Sequence, residues 1–116
     1  MSEVTIYHNP RCSKSRQTLA LLTSRGVAPR IVHYLDTPPS AETLTRLLQM
    51  LAMRPRQLLR VNESPYAELE LDDASLTDEE LIAAMISHPV LIERPIVEAG
   101  NRAVIGRPPE NVLQLI

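Results

Sequence analysis

The first third of the chain orders its residues as strand, helix, strand, and that order limits the fold more than any other feature. Val4-Thr5-Ile6-Tyr7 is a short run of β-branched and aromatic residues of the kind that forms a strand. His8-Asn9-Pro10-Arg11 interrupts it. Ser13 to Arg25 then reads as a helix, with Leu19 and Leu22 at helical spacing and Gly26 as its stop. Ile31-Val32-His33-Tyr34-Leu35 returns to a strand pattern. Two strands joined through a helix lie parallel, with a right-handed crossover. At 116 residues, the chain is expected to form one domain, 1–116.

The remainder completes the order. Ser40 is a good N-cap before Leu44, Leu47, Leu48 and Leu51, which fall at i, i+3, i+4 and i+7. Pro55 opens a short helix to Leu59. Residues Asn62 to Ser75 read as exposed and partly irregular. Thr77 and Glu80 form a capping box ahead of Leu81, Ala84 and Met85, and Pro89 ends that helix. Val90-Leu91-Ile92 and Pro95-Ile96-Val97 are read as extended. Ala99-Gly100-Asn101 turns the chain into Arg102-Ala103-Val104-Ile105, an antiparallel hairpin. Pro108-Pro109 begins a last short helix with Val112, Leu113 and Ile116 on its apolar face. The whole is β-α-β, a helical insertion at about 40–88, then β-β-α. This is an α/β chain with the thioredoxin-like order and a mixed sheet of about four strands.

Composition excludes several functions. Phe and Trp are absent and Tyr occurs three times, so the core must be aliphatic. Without aromatic platforms, and with a net charge of −2, the chain lacks both the stacking surface and the cationic face of a nucleic-acid binder. No apolar stretch approaches the ~20 residues of a membrane span. Met1-Ser2-Glu3-Val4 lacks the basic and apolar regions of a secretory signal. A lone thiol fits a reducing compartment, and the expectation is a cytoplasmic protein. With no long apolar stripe left unassigned, the expectation is also a monomer. Charge is segregated: residues 61–93 hold nine of the 14 acidic side chains and no Lys or Arg. That span is read as a solubilising surface.

The one cysteine excludes an internal disulfide, a multi-cysteine zinc site and an iron–sulfur cluster. Cys12 falls where the first strand gives way to the first helix. The open N–H groups of a helix's first turn favour a thiolate and bind anions. Arg11, Lys14 and Arg16 add positive charge nearby, and the Ser15 hydroxyl and His8 stand within reach to tune the sulfur. The segment Arg11-Cys12-Ser13-Lys14-Ser15 is polar, which favours a reactive thiol over a buried apolar one. Ser15 replaces the second cysteine of a C-x-x-C pair, so any disulfide that Cys12 forms must be with an outside thiol. His33 and His88 are read as packing or surface residues. With no helical pair and no cysteine cluster, no metal site is expected.

His8-Asn9-Pro10-x-Cys12-x-x-Ser15-Arg16 resembles the active-site signature of the glutaredoxin-linked arsenate reductases. The resemblance continues through His33-Tyr34-Leu35, Thr37-Pro38-Pro39, Leu58-Leu59-Arg60 and Asn62 to Tyr66. It resumes at His88-Pro89, Ile92, Arg94-Pro95-Ile96-Val97 and Arg107-Pro108. It implies a thioredoxin-like fold with an inserted helical region. It also implies Cys12 as the catalytic nucleophile, and Arg60, Arg94 and Arg107 as the oxyanion-binding residues. Guanidinium groups suit that task, because they keep their charge and match oxyanion geometry. Pro95 matches the cis-proline position of the thioredoxin fold.

The activity so implied is arsenate reduction with glutathione as co-substrate and glutaredoxin as protein partner, and no bound cofactor. Arg11, Ser13 and Lys14 stand where dedicated arsenate reductases tend to carry small, uncharged residues. Two other readings come from the same superfamily logic. One is a general thiol–disulfide oxidoreductase. The other is a redox-responsive regulator of the Spx type, which binds RNA polymerase and typically uses the C-x-x-C switch that Ser15 denies here.

Overall fold

The computed structural model describes residues 3–116, so Met1 and Ser2, and with them part of the segment read as lacking a secretory signal, lie outside the described residues. The chain divides into two compact units. One comprises residues 3–37 with Arg94–Ile116, and the other is Pro38–Glu93.

The first unit carries the sheet. Strands β1 (Val4–Tyr7), β2 (Arg30–Val32), β3 (Ile96–Ala99) and β4 (Arg102–Ile105) lie in the order β2-β1-β3-β4. β1 runs parallel to β2 and antiparallel to β3, and β3 runs antiparallel to β4. Helix α1 (Ser13–Ser24) makes the crossover from β1 to β2. The sheet is mixed because the β-α-β half gives a parallel pair, while the hairpin at Gly100 gives an antiparallel one. Gly100 takes a positive φ of 62°, which suits glycine at the turn.

The central strands are the buried ones. Ile6 of β1 sits opposite Val97 of β3, and both are fully buried. They form one core with Leu22 of α1 and Val112 of the carboxy-terminal 3₁₀ helix Pro109–Gln114. Val4, Leu19, Leu21, Val27 and Leu115 surround this core. With no Phe or Trp, four aliphatic side chains carry the sheet-to-helix contact, so each matters.

The second strand is shorter than its sequence pattern predicts. It ends at Val32, because the His33 carbonyl accepts the N–H groups of Asp36 and Thr37 at 3.0 and 2.9 Å and closes a turn. Tyr34 is thereby turned inward and buried. An edge strand has only one neighbour to hold it extended, so a local turn wins here.

The second unit is helical. It holds α2 (Ala41–Leu51), α3 (Pro55–Leu58), α4 (Ser64–Glu68) and α5 (Asp78–Ser87). The Ser40 hydroxyl caps α2 by accepting the Thr43 N–H, and Thr77 and Glu80 cap α5 reciprocally. Leu44, Leu47 and Leu48 of α2, Leu58 of α3, and Leu81 and Met85 of α5 are buried. Residues 62–75, read as exposed and partly irregular, hold α4 and a series of turns.

Val90 and Leu91, read as extended, belong instead to a 3₁₀ turn, Pro89–Leu91. The fixed φ of Pro89 suits the start of a helical turn, and the Leu91 N–H closes it on the His88 carbonyl at 2.9 Å. Only Ile92 keeps extended pairing, in an isolated bridge to Leu59.

Leu22→Ala truncates the one fully buried α1 side chain of this aliphatic cluster. Truncations of this kind cost about 2–5 kcal/mol. The expected outcome is a clear fall in the urea midpoint with the slope unchanged.

Candidate active site

The strand register alone gathers the site. Tyr7 pairs with Ile96, and Ile96 pairs with Ile105. The residues that follow β1, precede β3 and follow β4 therefore leave the same end of the sheet. These are His8 to Cys12, Arg94-Pro95 and Gly106-Arg107.

Cys12 is the N-cap residue of α1, with extended backbone at φ −93° and ψ 123°. Its side chain makes no capping hydrogen bond, and the first turn of α1 holds no acidic residue. The residue is buried, with 8% of its surface exposed, and its thiol is free. The Nη1 of Arg107 donates to Sγ at 3.8 Å.

Burial pushes the Cys12 thiol up. The backbone N–H of Ser15, the Arg94 guanidinium, the backbone N–H of Lys14 and the Arg107 guanidinium all pull it down, and together they prevail. The thiol is therefore held below its ordinary value. The arginines that act on the sulfur are remote in sequence. Of the local cations, Arg16 instead donates to the Pro10 carbonyl at 2.9 Å, and Lys14 acts through its backbone.

His8 and Ser15 are both buried. His8 Nδ1 lies 2.6 Å from Ser15 Oγ, and the Asn9 N–H donates to that same oxygen at 3.0 Å. The Ser15 hydroxyl thus belongs to His8 and Asn9, and among the described residues it makes no bond to Cys12. What Ser15 offers the sulfur is its N–H. Burial, then the neighbouring His33 and Arg16, lower the His8 pKa, so its imidazole is neutral near pH 7 and places no charge beside the sulfur. Its part is to anchor the loop. The Asn9 side chain also accepts the Arg11 N–H at 2.9 Å.

The Arg94–Pro95 peptide is cis, and so is Arg107–Pro108. Arg60 belongs to the helical unit, where its guanidinium meets Glu63 at 3.3 Å and Glu93 at 4.0 Å. His33 is exposed, its ring 6.1 Å from that of His8, and His88 ends α5. Among the described residues, no three His, Cys, Asp or Glu side chains are grouped to hold a metal ion.

Sequence reasoning passed over Thr18 and Gly106. Thr18 is fully buried, and Gly106 packs so closely that an added Cβ would lie 2.5 Å from Thr18 Oγ1 and 2.9 Å from Pro95 Cγ. The signal was the stripe Ser15, Thr18, Leu22 on α1, at i, i+3 and i+7, where two hydroxyl residues occupy the inward face.

Residues 7–115 match the model of the ArsC family. The chain is 56% identical over 115 residues to an Escherichia coli (strain K12) protein named "Uncharacterized protein YfgD", covering 98% of this chain and 97% of the relative. It is 47% identical over 113 residues to a Neisseria meningitidis serogroup B protein named arsenate reductase, covering 97% of each. The solved structure of an arsenate reductase from Vibrio cholerae matches with a TM-score of 0.96 at 52% identity, over 99% of this chain and 98% of that one. The chain belongs to the ArsC family, and its fold is thioredoxin-like.

Two outcomes follow for the thiol. Alkylation by iodoacetamide reports the thiolate, so the rate should fall as pH drops through the lowered thiol value and stay high well below the range of an ordinary cysteine. Arg107→Ala and Arg94→Ala should each move that profile to higher pH, because each removes a positive charge that favours the ionised sulfur.

Proposed function

We propose that this chain is an arsenate reductase dependent on glutathione and glutaredoxin. The observation that carries the reading is a single sulfur at the start of α1, held below its ordinary pKa, with Arg107 on it and Arg94 beside it. The names of the relatives at 47% and 52% identity support the same substrate.

The reaction proceeds in three steps. The Cys12 thiolate attacks arsenic(V), an arsenate oxygen leaves as water after taking up protons, and an S–As bond forms. A glutathione thiolate then attacks the Cys12 sulfur, and the S–As electron pair stays with arsenic. Arsenic(III) departs as arsenite, and a Cys12–glutathione disulfide remains. Glutaredoxin takes up the glutathionyl group by thiol exchange and restores Cys12. The two electrons that reduce arsenic come from the two sulfurs that become the disulfide.

Arg94 and Arg107 offset the repulsion between the thiolate and a tetrahedral anion, then stabilise the charge that develops on its oxygens. The family resemblance implies an oxyanion-binding role for Arg60 as well. The lone thiol supports a reducing, cytoplasmic setting, and no helix among the described residues is long and apolar enough to cross a membrane. The working form is taken as a monomer with no bound cofactor.

The test is arsenate-dependent NADPH consumption in the presence of glutathione, glutaredoxin and glutathione reductase. The wild-type protein should turn over, and Cys12→Ser should not. Arg107→Ala should lower kcat/KM about 100-fold, as expected for loss of one fixed oxyanion partner. No arsenate-dependent turnover by the wild type, with exchange of glutathionylated thiols intact, would favour the general thiol–disulfide reading and defeat this one.

A further inference from the structure

We propose that Thr18 is a positioning residue for the Cys12 site, its hydroxyl tying the first turn of α1 to the loop that carries Arg107. The proposal rests on Cys12 being the nucleophile.

Thr18 lies one and a half turns into α1 and is fully buried. Its Oγ1 is 2.8 Å from the Lys14 carbonyl and 3.3 Å from the Gly106 carbonyl. A threonine hydroxyl has one proton, so these two acceptors share it. One acceptor belongs to the residue whose N–H faces the sulfur, and the other immediately precedes Arg107. The Gly106 N–H in turn donates to the Pro95 carbonyl at 2.9 Å, and Pro95 follows Arg94. One side chain thus connects the turn that holds the sulfur to both segments that hold its guanidinium partners.

The junction has no slack. The hypothetical Cβ at Gly106 meets Thr18 on one side and Pro95 on the other. A hydroxyl on a fully buried side chain would be a poor choice for packing alone. Valine has nearly the same shape and carries no polar group to satisfy.

Two substitutions at Thr18 separate positioning from packing. Thr18→Val keeps the shape and removes the hydrogen bond. Thr18→Ser keeps the hydrogen bond and removes a methyl group. The readouts are the pH profile of Cys12 alkylation by iodoacetamide, which needs no arsenate, and kcat and KM in the coupled assay. Thr18→Val should move the alkylation profile to higher pH, lower the rate at pH 7 about threefold or more, and raise the KM for arsenate. Thr18→Ser should keep the wild-type profile even if the fold loses stability.

A folded Thr18→Val with the wild-type profile and KM overturns the proposal. A Thr18→Ser profile shifted as far as that of valine also overturns it. If Thr18→Val does not fold, the serine variant still decides, since a shifted profile counts against the hydroxyl and an unshifted one supports it. Gly106→Ala, which forces the same junction apart from the loop side, should shift the profile upward. Arsenate turnover that survives Cys12→Ser would defeat the functional reading while leaving the alkylation result to judge Thr18.

Discussion

A sulfur atom stands where most helices place a capping oxygen, and the rest of the site is arranged around that exchange. An N-cap Ser, Thr, Asp or Asn would accept an N–H from the first turn and stabilise the helix by about 1 kcal/mol. Cys12 makes no such bond. Its sulfur instead faces the backbone N–H groups of Lys14 and Ser15, and those groups favour the ionised form. Burial opposes this, since a charge loses water there. Arg94 and Arg107 tip the balance without adding local crowding, because they arrive from other strands.

Their arrival is a property of the sheet. A parallel β1 and β2 fix where α1 must start. An antiparallel β3 and β4 then bring the beginning of one strand and the end of the next to that same end. Short strands serve this well. Each has three or four residues, so the loops at the site hang from ladder positions only one or two residues away. The core beneath is Ile6, Leu22, Val97 and Val112, and Leu22 lies two turns along α1 from the inward-facing Ser15. Stability and chemistry therefore use the same helix face, apolar toward its end and hydroxylic toward its start.

Much of this was legible in the residues. Strand-helix-strand periodicity, capping signals at Ser40 and Thr77, and the turn at Gly100 are local, and local patterns survive folding. The position of Cys12 at a strand-to-helix junction was legible for the same reason. What escaped were matters of long-range packing. Arg11, Lys14 and Arg16 look like the sulfur's charge partners because they are close in sequence, yet the charges that bear on it come from residues 94 and 107. Ser15 looks like a hydroxyl donor to the sulfur, yet its oxygen is taken by His8 and Asn9, a choice set by where β1 ends. Leu35 reads as strand because its neighbours are apolar, but only a sheet partner could have kept it extended. Val90-Leu91 reads the same way, and Pro89 decides otherwise. For Gly106, nothing in a single sequence announces that a methyl group has no room.

The start of α1, without a capping oxygen, bears on how the fold would respond to an anion. With no capping oxygen and no acidic residue in the first turn, an anion beside Cys12 would meet the partial positive charge of the helix start. A bound anion would give the opening turn of α1 a further partner, so occupancy would stabilise that turn.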